Sequence, residues 1–273
     1  AAPASCFKRT CRLAKASSGW IAAQAPGGNT AAQQSAKEPL VFLHGLFGSA
    51  SNFRTFARPF AHDRDVLLPE LPNHGASHHT PGPTSLEAMA RDLLATLDAE
   101  RVERAVLCGH SLGGKVVAAA ALLAPERVSR LCVVDIAPVA YDTSSERSGW
   151  AHNVQILKAM QALPPHVLHS RVTASEALAP TVPDEAVRAF LLQNLVPNEA
   201  RWRINVDSIL ESMPHFASFP HLQPAPQRLP ALFIRGERSA YLAPSFHEAT
   251  ANLFPGARFV TFPNIGHWVH AEA

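Results

Sequence analysis

Gly109-His110-Ser111-Leu112-Gly113 is the stretch of this chain whose residue types and spacing suit covalent chemistry. A serine hydroxyl is a weak nucleophile until a base takes its proton and nearby donors accept the charge that develops. The G-x-S-x-G pattern meets both needs when a strand enters it and a helix leaves it. The serine then sits on a sharp, strained turn with its hydroxyl above the sheet, and the flanking glycines let neighbouring backbone pass closely. The free N–H groups at the helix start form a dipole-positive site suited to an oxyanion. Here "AVLCG" precedes the motif and a helix-forming run, "GKVVAAAALL", follows it.

Such a serine needs three further groups. A second oxyanion donor belongs on an early strand-to-helix loop, and "HGLFGS", His44 to Ser49, is that loop. The Leu46 N–H is the expected donor, with the Leu112 N–H as its partner and Phe47 as a pocket wall. A base belongs on a late loop, and "NIGHWVHAE" supplies His267, with His270 as the neighbouring alternative among 14 histidines. His44 and His110 read as structural braces of the donor loops. An acid must orient the histidine. In "RLCVVDIAP" a carboxylate, Asp135, ends a buried apolar run, where it is either functional or a cap for the following helix.

The elements that must position these groups are legible as apolar runs. "LVFLHG", "DVLLPEL", "AVLCG", "RLCVVD", "LPALFIRG" and "ARFVTF" are apolar at nearly every position, as buried parallel strands are. Helical patterns alternate with them. "TSLEAMARDLLATLDAE" has Thr84 and Glu87 at capping-box spacing and puts Leu86, Met89, Leu93 and Leu97 on one face. The alternation predicts an α/β fold, a mostly parallel sheet flanked by helices on both sides. Between "VVDIAPVAY" and "LPALFIRG" about ninety residues carry helical periodicity and no clear strand, too long for a simple connection. This insertion, about 140–225, reads as a helical lid whose apolar faces also pack on the sheet.

Composition narrows the function. The 273 residues suit one large domain, 38–273. A formal net charge of +2 with no basic stripe gives no reason to expect a nucleic-acid partner, and no apolar run is long enough for a transmembrane segment. The four cysteines, Cys6, Cys11, Cys108 and Cys132, form no C-x-x-C pair, so no metal site is expected. Residues 1–37 contain five basic residues and no acidic one, leaving 19 basic against 22 acidic residues in the rest. That reads as a transit peptide, mitochondrial ahead of chloroplast, or else as a disordered basic tail.

Taken together, "HGLFGS" with Asn52, "NHGAS", "GHSLGGK", "VDIAP" with Tyr141, "WRINVDSI", "FIRGERSAY" and "GHWVHAE" resemble an α/β-hydrolase. The resemblance is to the abhydrolase domain-containing protein eleven subgroup and its small bacterial esterase relatives, and it spans Leu40 to Glu272. It implies Ser111, Asp135 and His267 as a catalytic triad, with Ser239 as an accessory group near the histidine. It implies hydrolysis of small-molecule carboxylic esters or acyl thioesters through an acyl-serine, without cofactor, and mitochondrial residence for the animal members. Two departures stand out. Most such folds carry the acid in a G-x-x-D after the penultimate strand, where this chain reads Gly236-Glu237-Arg238-Ser239. The chain also ends at Ala273, just past the histidine loop, so the usual closing C-terminal helix is expected to be missing, and "GWIAAQ" to be a remnant of the first hairpin. Serine in the motif, in place of aspartate, excludes dehalogenase and epoxide-hydrolase routes. Acyl transfer to an alcohol or thiol on the same triad, and a non-enzymatic binding or receptor role, are the competing readings. Acyl length and oligomeric state are not written in the sequence.

Overall fold

The computed structural model describes residues 10–13, 37–144 and 149–272. The expected leader, with its "GWIAAQ", lies outside the described residues except for Lys37 and a strand, β1, Thr10–Leu13. The chain then runs through β2 (Leu40–Leu43), α1 (Ala50–Ala57), β3 (Val66–Pro69), α2 (Leu86–Ala99), β4 (Ala105–His110), α3 (Leu112–Leu123) and β5 (Val128–Val134). The insert follows, with α4 (Gly149–Ala162), α5 (Arg171–Leu178), α6 (Glu185–Leu191), β6 (Leu195–Val196), β7 (Arg201–Trp202) and α7 (Val206–Ala217). The body resumes with β8 (Ala231–Gly236), α8 (His247–Leu253), β9 (Ala257–Phe262) and one helical turn, α9 (Val269–Glu272).

Seven strands form one sheet in the order β1-β3-β2-β4-β5-β8-β9. The six predicted strands are parallel, and β1 adds an antiparallel edge against β3. The N-terminal boundary drawn from composition therefore missed a strand of only four residues inside a basic segment. Side chains alternate between two buried faces. Val41, Leu43, Leu107, Val133 and Phe233 join the core beneath α2, α3 and α8. Leu40, Phe42, Leu68, Cys108 and Val134 join the core beneath α1. At the far edge, β9 leaves Val260 and Phe262 exposed.

Local sequence explains the helices that matter for the site. α3 is alanine-rich, a strong helix former, and Ala118 to Ala121 are fully buried because small side chains let it lie close to the sheet. In α2 the four predicted core residues are buried. Its cap is Ser85, one residue later than predicted: the Ser85 hydroxyl accepts from the Ala88 N–H at 3.1 Å. Thr84 instead donates its N–H to the Ser212 hydroxyl of α7, 2.9 Å away.

The insert is helical as expected, but β6 and β7 form a two-residue antiparallel hairpin that its helical periodicity concealed. Its helices start at polar caps: Ser170 for α5, Asp184 for α6 and Asn205 for α7. Two anchors tie α7 to the body. At its start the Asn205 N–H donates to the Asn73 carbonyl (2.9 Å) and the Ser208 hydroxyl to the Thr80 carbonyl (2.8 Å). At its end Lys115, fully buried on α3, donates to the carbonyls of Phe216 (2.9 Å), Ala217 (3.0 Å) and Ser218 (2.6 Å). The rings of Tyr141 and Trp150 face the same ammonium at 4.7 and 5.2 Å. Burial pushes the lysine pKa well below its ordinary value. The carbonyls of a helix C-terminus are the groups suited to hold such a cation.

Replacing Lys115 by Met keeps the volume and strands three carbonyls. Lys115→Met is expected to lower the unfolding free energy by about 2–4 kcal/mol, read from urea denaturation. A change below about 0.5 kcal/mol would show that the anchor contributes nothing.

Candidate active site

β4 runs straight into α3, and Ser111 is the single residue that makes the corner. Its backbone sits at φ 52°, ψ −124°, and its N–H donates to the Val134 carbonyl of the adjacent strand at 2.9 Å. The corner closes only because its neighbours lack side chains. A Cβ on Gly109 would lie 2.3 Å from the Gly113 carbonyl oxygen. One on Gly113 would lie 2.3 and 2.4 Å from the carbonyl oxygens of His44 and Leu43 at the end of β2. The motif glycines are therefore required by backbone packing on backbone.

β5 ends in a second unusual corner. Asp135 has φ 55° and is completely buried, and its N–H donates to the Ile234 carbonyl at 2.7 Å. One carboxylate oxygen accepts the Gly236 N–H at 2.9 Å. The other accepts from His267 Nδ1 at 2.6 Å. The Ser111 hydroxyl lies 3.0 Å from His267 Nε2. With Nδ1 donating to the carboxylate, Nε2 is the acceptor nitrogen facing the hydroxyl. Serine, imidazole and carboxylate are thus connected in the order that activates a nucleophile and stabilises an imidazolium.

The histidine loop is braced from three directions. His110 Nε2 donates to the His267 carbonyl at 2.9 Å. The Glu272 carboxylate accepts the N–H groups on either side of His267, from Gly266 at 2.9 Å and Trp268 at 3.2 Å. The Tyr241 ring packs against the imidazole, with centroids 4.3 Å apart. The side chain of the alternative histidine, His270, lies outside the described residues. Glu237 faces elsewhere, its carboxylate accepting the Asn264 N–H at 2.9 Å. The Ser239 hydroxyl accepts the Tyr241 N–H at 3.3 Å and so holds its own turn. The expected support of the histidine by Ser239 is thus indirect, through the tyrosine that sequence reasoning overlooked.

The turn carrying Leu46 and Phe47 is closed by a bond from the Gly48 N–H to the Gly45 carbonyl, 3.0 Å. Gly45 packs against Ser111, so that a Cβ there would meet the serine Cβ at 3.0 Å. Phe47 has φ 62°. Of seven non-glycine residues with positive φ among the described ones, three (Phe47, Ser111 and Asp135) belong to this centre. Such conformations cost roughly 1–3 kcal/mol each and concentrate where geometry serves chemistry. Leu46 and Phe47 line the cavity above Ser111 as expected. Leu112 is buried at the first position of α3, where an N–H has no intrahelical acceptor.

The cavity has a volume of about 1120 Å³. Its body side is Phe53 and Phe56 of α1, and its insert side is Ile156, Val187 and Phe190. Trp268 packs on Phe190, centroids 4.9 Å apart, and joins the two. Asn52, His152, Asn153 and Gln193 add polar groups. Sequence reasoning named the insert as a cover without naming these residues. The available signal was the placement of Ile, Val and Phe on its short helices.

His44 is the brace it was expected to be. It is buried, its Nδ1 donates to the Gly45 carbonyl at 2.9 Å, and its Nε2 accepts the Leu71 N–H at 3.1 Å. His74 lies beside it, ring centroids 5.5 Å apart, with Nδ1 on the Pro72 carbonyl at 2.9 Å. Burial lowers both pKa values, to about 4 for His44 and about 3 for His74, where the charge of the other ring adds to the effect.

Comparison with known proteins places these observations in a family. Residues 38–273 match the model of the alpha/beta hydrolase fold. The mouse protein named sn-1-specific diacylglycerol lipase ABHD11 is 40% identical over 239 residues, covering 85% of this chain and 76% of that protein. Esterase YbfF of Escherichia coli K12 is 36% identical over 243 residues, covering 89% and 91%. Among solved structures, a marine microorganism esterase superposes with a TM-score of 0.80 at 34% identity, covering 86% of this chain and 90% of that one.

The buried histidine pair sets a pH dependence. An unfolded imidazole titrates near 6.5 and these two only near 4 and 3, so acid protonates the unfolded chain first. Stability is expected to fall as the pH drops below about 6.5, by about 2 kcal/mol per histidine between pH 7 and pH 5. Urea denaturation at the two pH values measures it, and His74→Gln is expected to remove about half of the difference. Equal stability at pH 7 and pH 5 would mean that the pair is not held neutral.

Proposed function

Because the chain belongs to the α/β-hydrolase family and is an ester-hydrolysing enzyme, we propose that it acts as a serine esterase through an acyl-serine intermediate. The observation that carries the proposal is the relay from Asp135 through His267 to Ser111, with links of 2.6 and 3.0 Å. His267 Nε2 takes the Ser111 proton as the oxygen attacks the ester carbonyl carbon. Asp135 stabilises the imidazolium and keeps its ring oriented. The carbonyl oxygen, now negative, accepts hydrogen bonds from the Leu46 and Leu112 N–H groups. Collapse expels the alcohol or thiol, which takes the proton from His267. Water then attacks the acyl-serine with His267 again as base, releasing the carboxylic acid and restoring Ser111.

The substrate class follows from the cavity. Its volume of about 1120 Å³ exceeds the roughly 300–1,000 Å³ usual for small-ligand sites, and its walls are mainly aromatic and aliphatic, with a few polar groups such as Asn52, Asn153 and Gln193. A long acyl chain or an acylglycerol fits that space better than a short or charged ester. The name of the mouse relative, a diacylglycerol lipase, supports the same reading. The acid-free, basic segment 1–37 supports a mitochondrial address.

Labelling by a fluorophosphonate probe tests the mechanism, with modification of the natural chain and none of Ser111→Ala expected. Turnover of an acyl ester should fall at least about a thousandfold in Ser111→Ala and about ten-thousandfold in Asp135→Asn. Glu237→Gln should stay within about threefold, and Ser239→Ala should lose about three- to tenfold, as one indirect hydrogen bond warrants. A crippled Glu237→Gln beside an active Asp135→Asn would move the acid to the other strand. For the address, residues 1–37 with an initiating Met are expected to carry a fluorescent reporter into mitochondria, and a diffuse cytosolic signal would reject it.

A further inference from the structure

Leu46 and Phe47 occupy the centre of the turn that supplies one oxyanion donor. A positive φ at the third position of such a turn is the conformation for which glycine is the default. Phe47, at φ 62°, holds it with a bulky side chain, so the turn needs an external restraint to stay in this shape. Beside the body contacts at Gly45, a restraint on Phe47 itself comes from the insert. Asn194, buried just after α6, donates its side-chain N–H to the Phe47 carbonyl at 2.7 Å. Its own carbonyl accepts the Arg203 N–H at 2.6 Å, which fixes Asn194 to the end of the β6–β7 hairpin. The preceding residue, Gln193, accepts from Asn52 at 3.2 Å, and Asn52 accepts the Ser49 N–H at 2.6 Å where the same turn leads into α1. Two consecutive insert residues therefore hold the C-terminal side of one turn, Asn194 directly at Phe47 and Gln193 through Asn52.

We propose that Asn194 is a positioning residue that makes the oxyanion site conditional on the seated insert, holding the Leu46 N–H in place through the Phe47 carbonyl. The inference rests on the serine-esterase reading. When the insert lifts away with Gln193 and Asn194, the turn is free to leave its strained conformation and the Leu46 donor with it. Attack by Ser111 is then slow until the insert seats again over a bound substrate. The insert acts on the rate of the chemical step as well as on access.

The test uses the full chain and a short chromogenic ester, with Asn194→Ala and Asn194→Asp. In Asn194→Ala, kcat is expected to fall about thirty- to a hundredfold with KM within about threefold, since the lost restraint acts on the transition state. Asn194→Asp keeps the size and puts an acceptor against an acceptor, so its loss at pH 8 should be at least as large. Protonation of the introduced carboxyl restores a donor, so the ratio of its kcat to that of the natural chain should rise at least threefold between pH 8 and pH 5.5. A merely structural asparagine gives no such recovery. Unchanged kcat in Asn194→Ala and Asn194→Asp, a loss confined to KM, or a deficit in Asn194→Asp that is independent of pH overturns the proposal. If Asn194→Ala does not fold, Asn194→Asp decides, and failure of both to fold overturns the proposal in favour of a structural role. Fluorophosphonate labelling of the natural chain is measured in the same preparations. Its absence sinks the esterase reading, whereas labelling together with unaltered variants sinks the clamp alone.

Discussion

Ser111 sits at φ 52°, ψ −124°, a backbone conformation that costs a non-glycine residue on the order of 1–3 kcal/mol. No local interaction of a serine repays that. The corner is held by what surrounds it: the Val134 carbonyl on its N–H, Gly109 pressed against Gly113, and Gly113 pressed against the end of β2. Each of these contacts requires the central strands to be paired in register and α3 to lie close on the sheet. Close packing in turn requires the small side chains of Ala118 to Ala121. The same logic repeats one strand over, where Asp135 is bent to φ 55° and its carboxylate is held by the Gly236 N–H of β8. The rigidity of the sheet is what makes two unfavourable corners persist 3 Å from a common imidazole.

The parts of this arrangement that were legible in the sequence are those fixed by burial on both faces. Five of the six parallel strands, β2, β3, β4, β5 and β8, are apolar runs buried on both faces, so their positions were readable without any partner; β9 was readable as an apolar run although it keeps Val260 and Phe262 exposed. Asp135 was readable for the same reason, since a carboxylate closing an apolar run has no solvent to face. What escaped was either too short to leave a pattern of its own or set by contacts with other parts of the chain. The β6–β7 hairpin is two residues per strand and sits inside a helical rhythm. Ser239 occupies the place of the usual acid, yet the group beside His267 is Tyr241, two residues on, whose direction depends on how the turn after β8 folds. The α2 cap moved from Thr84 to Ser85 because α7 supplies a hydroxyl for the Thr84 N–H.

The insert joins the body through polar contacts of different kinds. Amide and hydroxyl groups of the Asn73–Thr80 loop hold the start of α7, and the Lys115 ammonium holds its end. Asn194 reaches the turn above Ser111, and Gln193 reaches Asn52 in the first turn of α1. Apolar side chains of the insert, Ile156, Val187 and Phe190, also face the body across the cavity. The two anchors on α7 tie that helix to the body, and α4 and α6 with Gln193 carry the insert side chains that line the cavity.

On the proposed mechanism, the relay between Ser111 and His267 also fixes when this protein can first become active. The two residues are 156 positions apart, and Asp135 is held by an amide 101 positions further along. At roughly 5–20 residues per second, the ribosome needs roughly 10 to 30 s to pass from the nucleophile to its base. During that interval the emerging chain already carries the serine and the acid but has neither β8 to hold the carboxylate nor the loop that brings the imidazole. The half-made protein is an unarmed one. On that mechanism, competence arrives only with the loop that follows the last strand and carries His267.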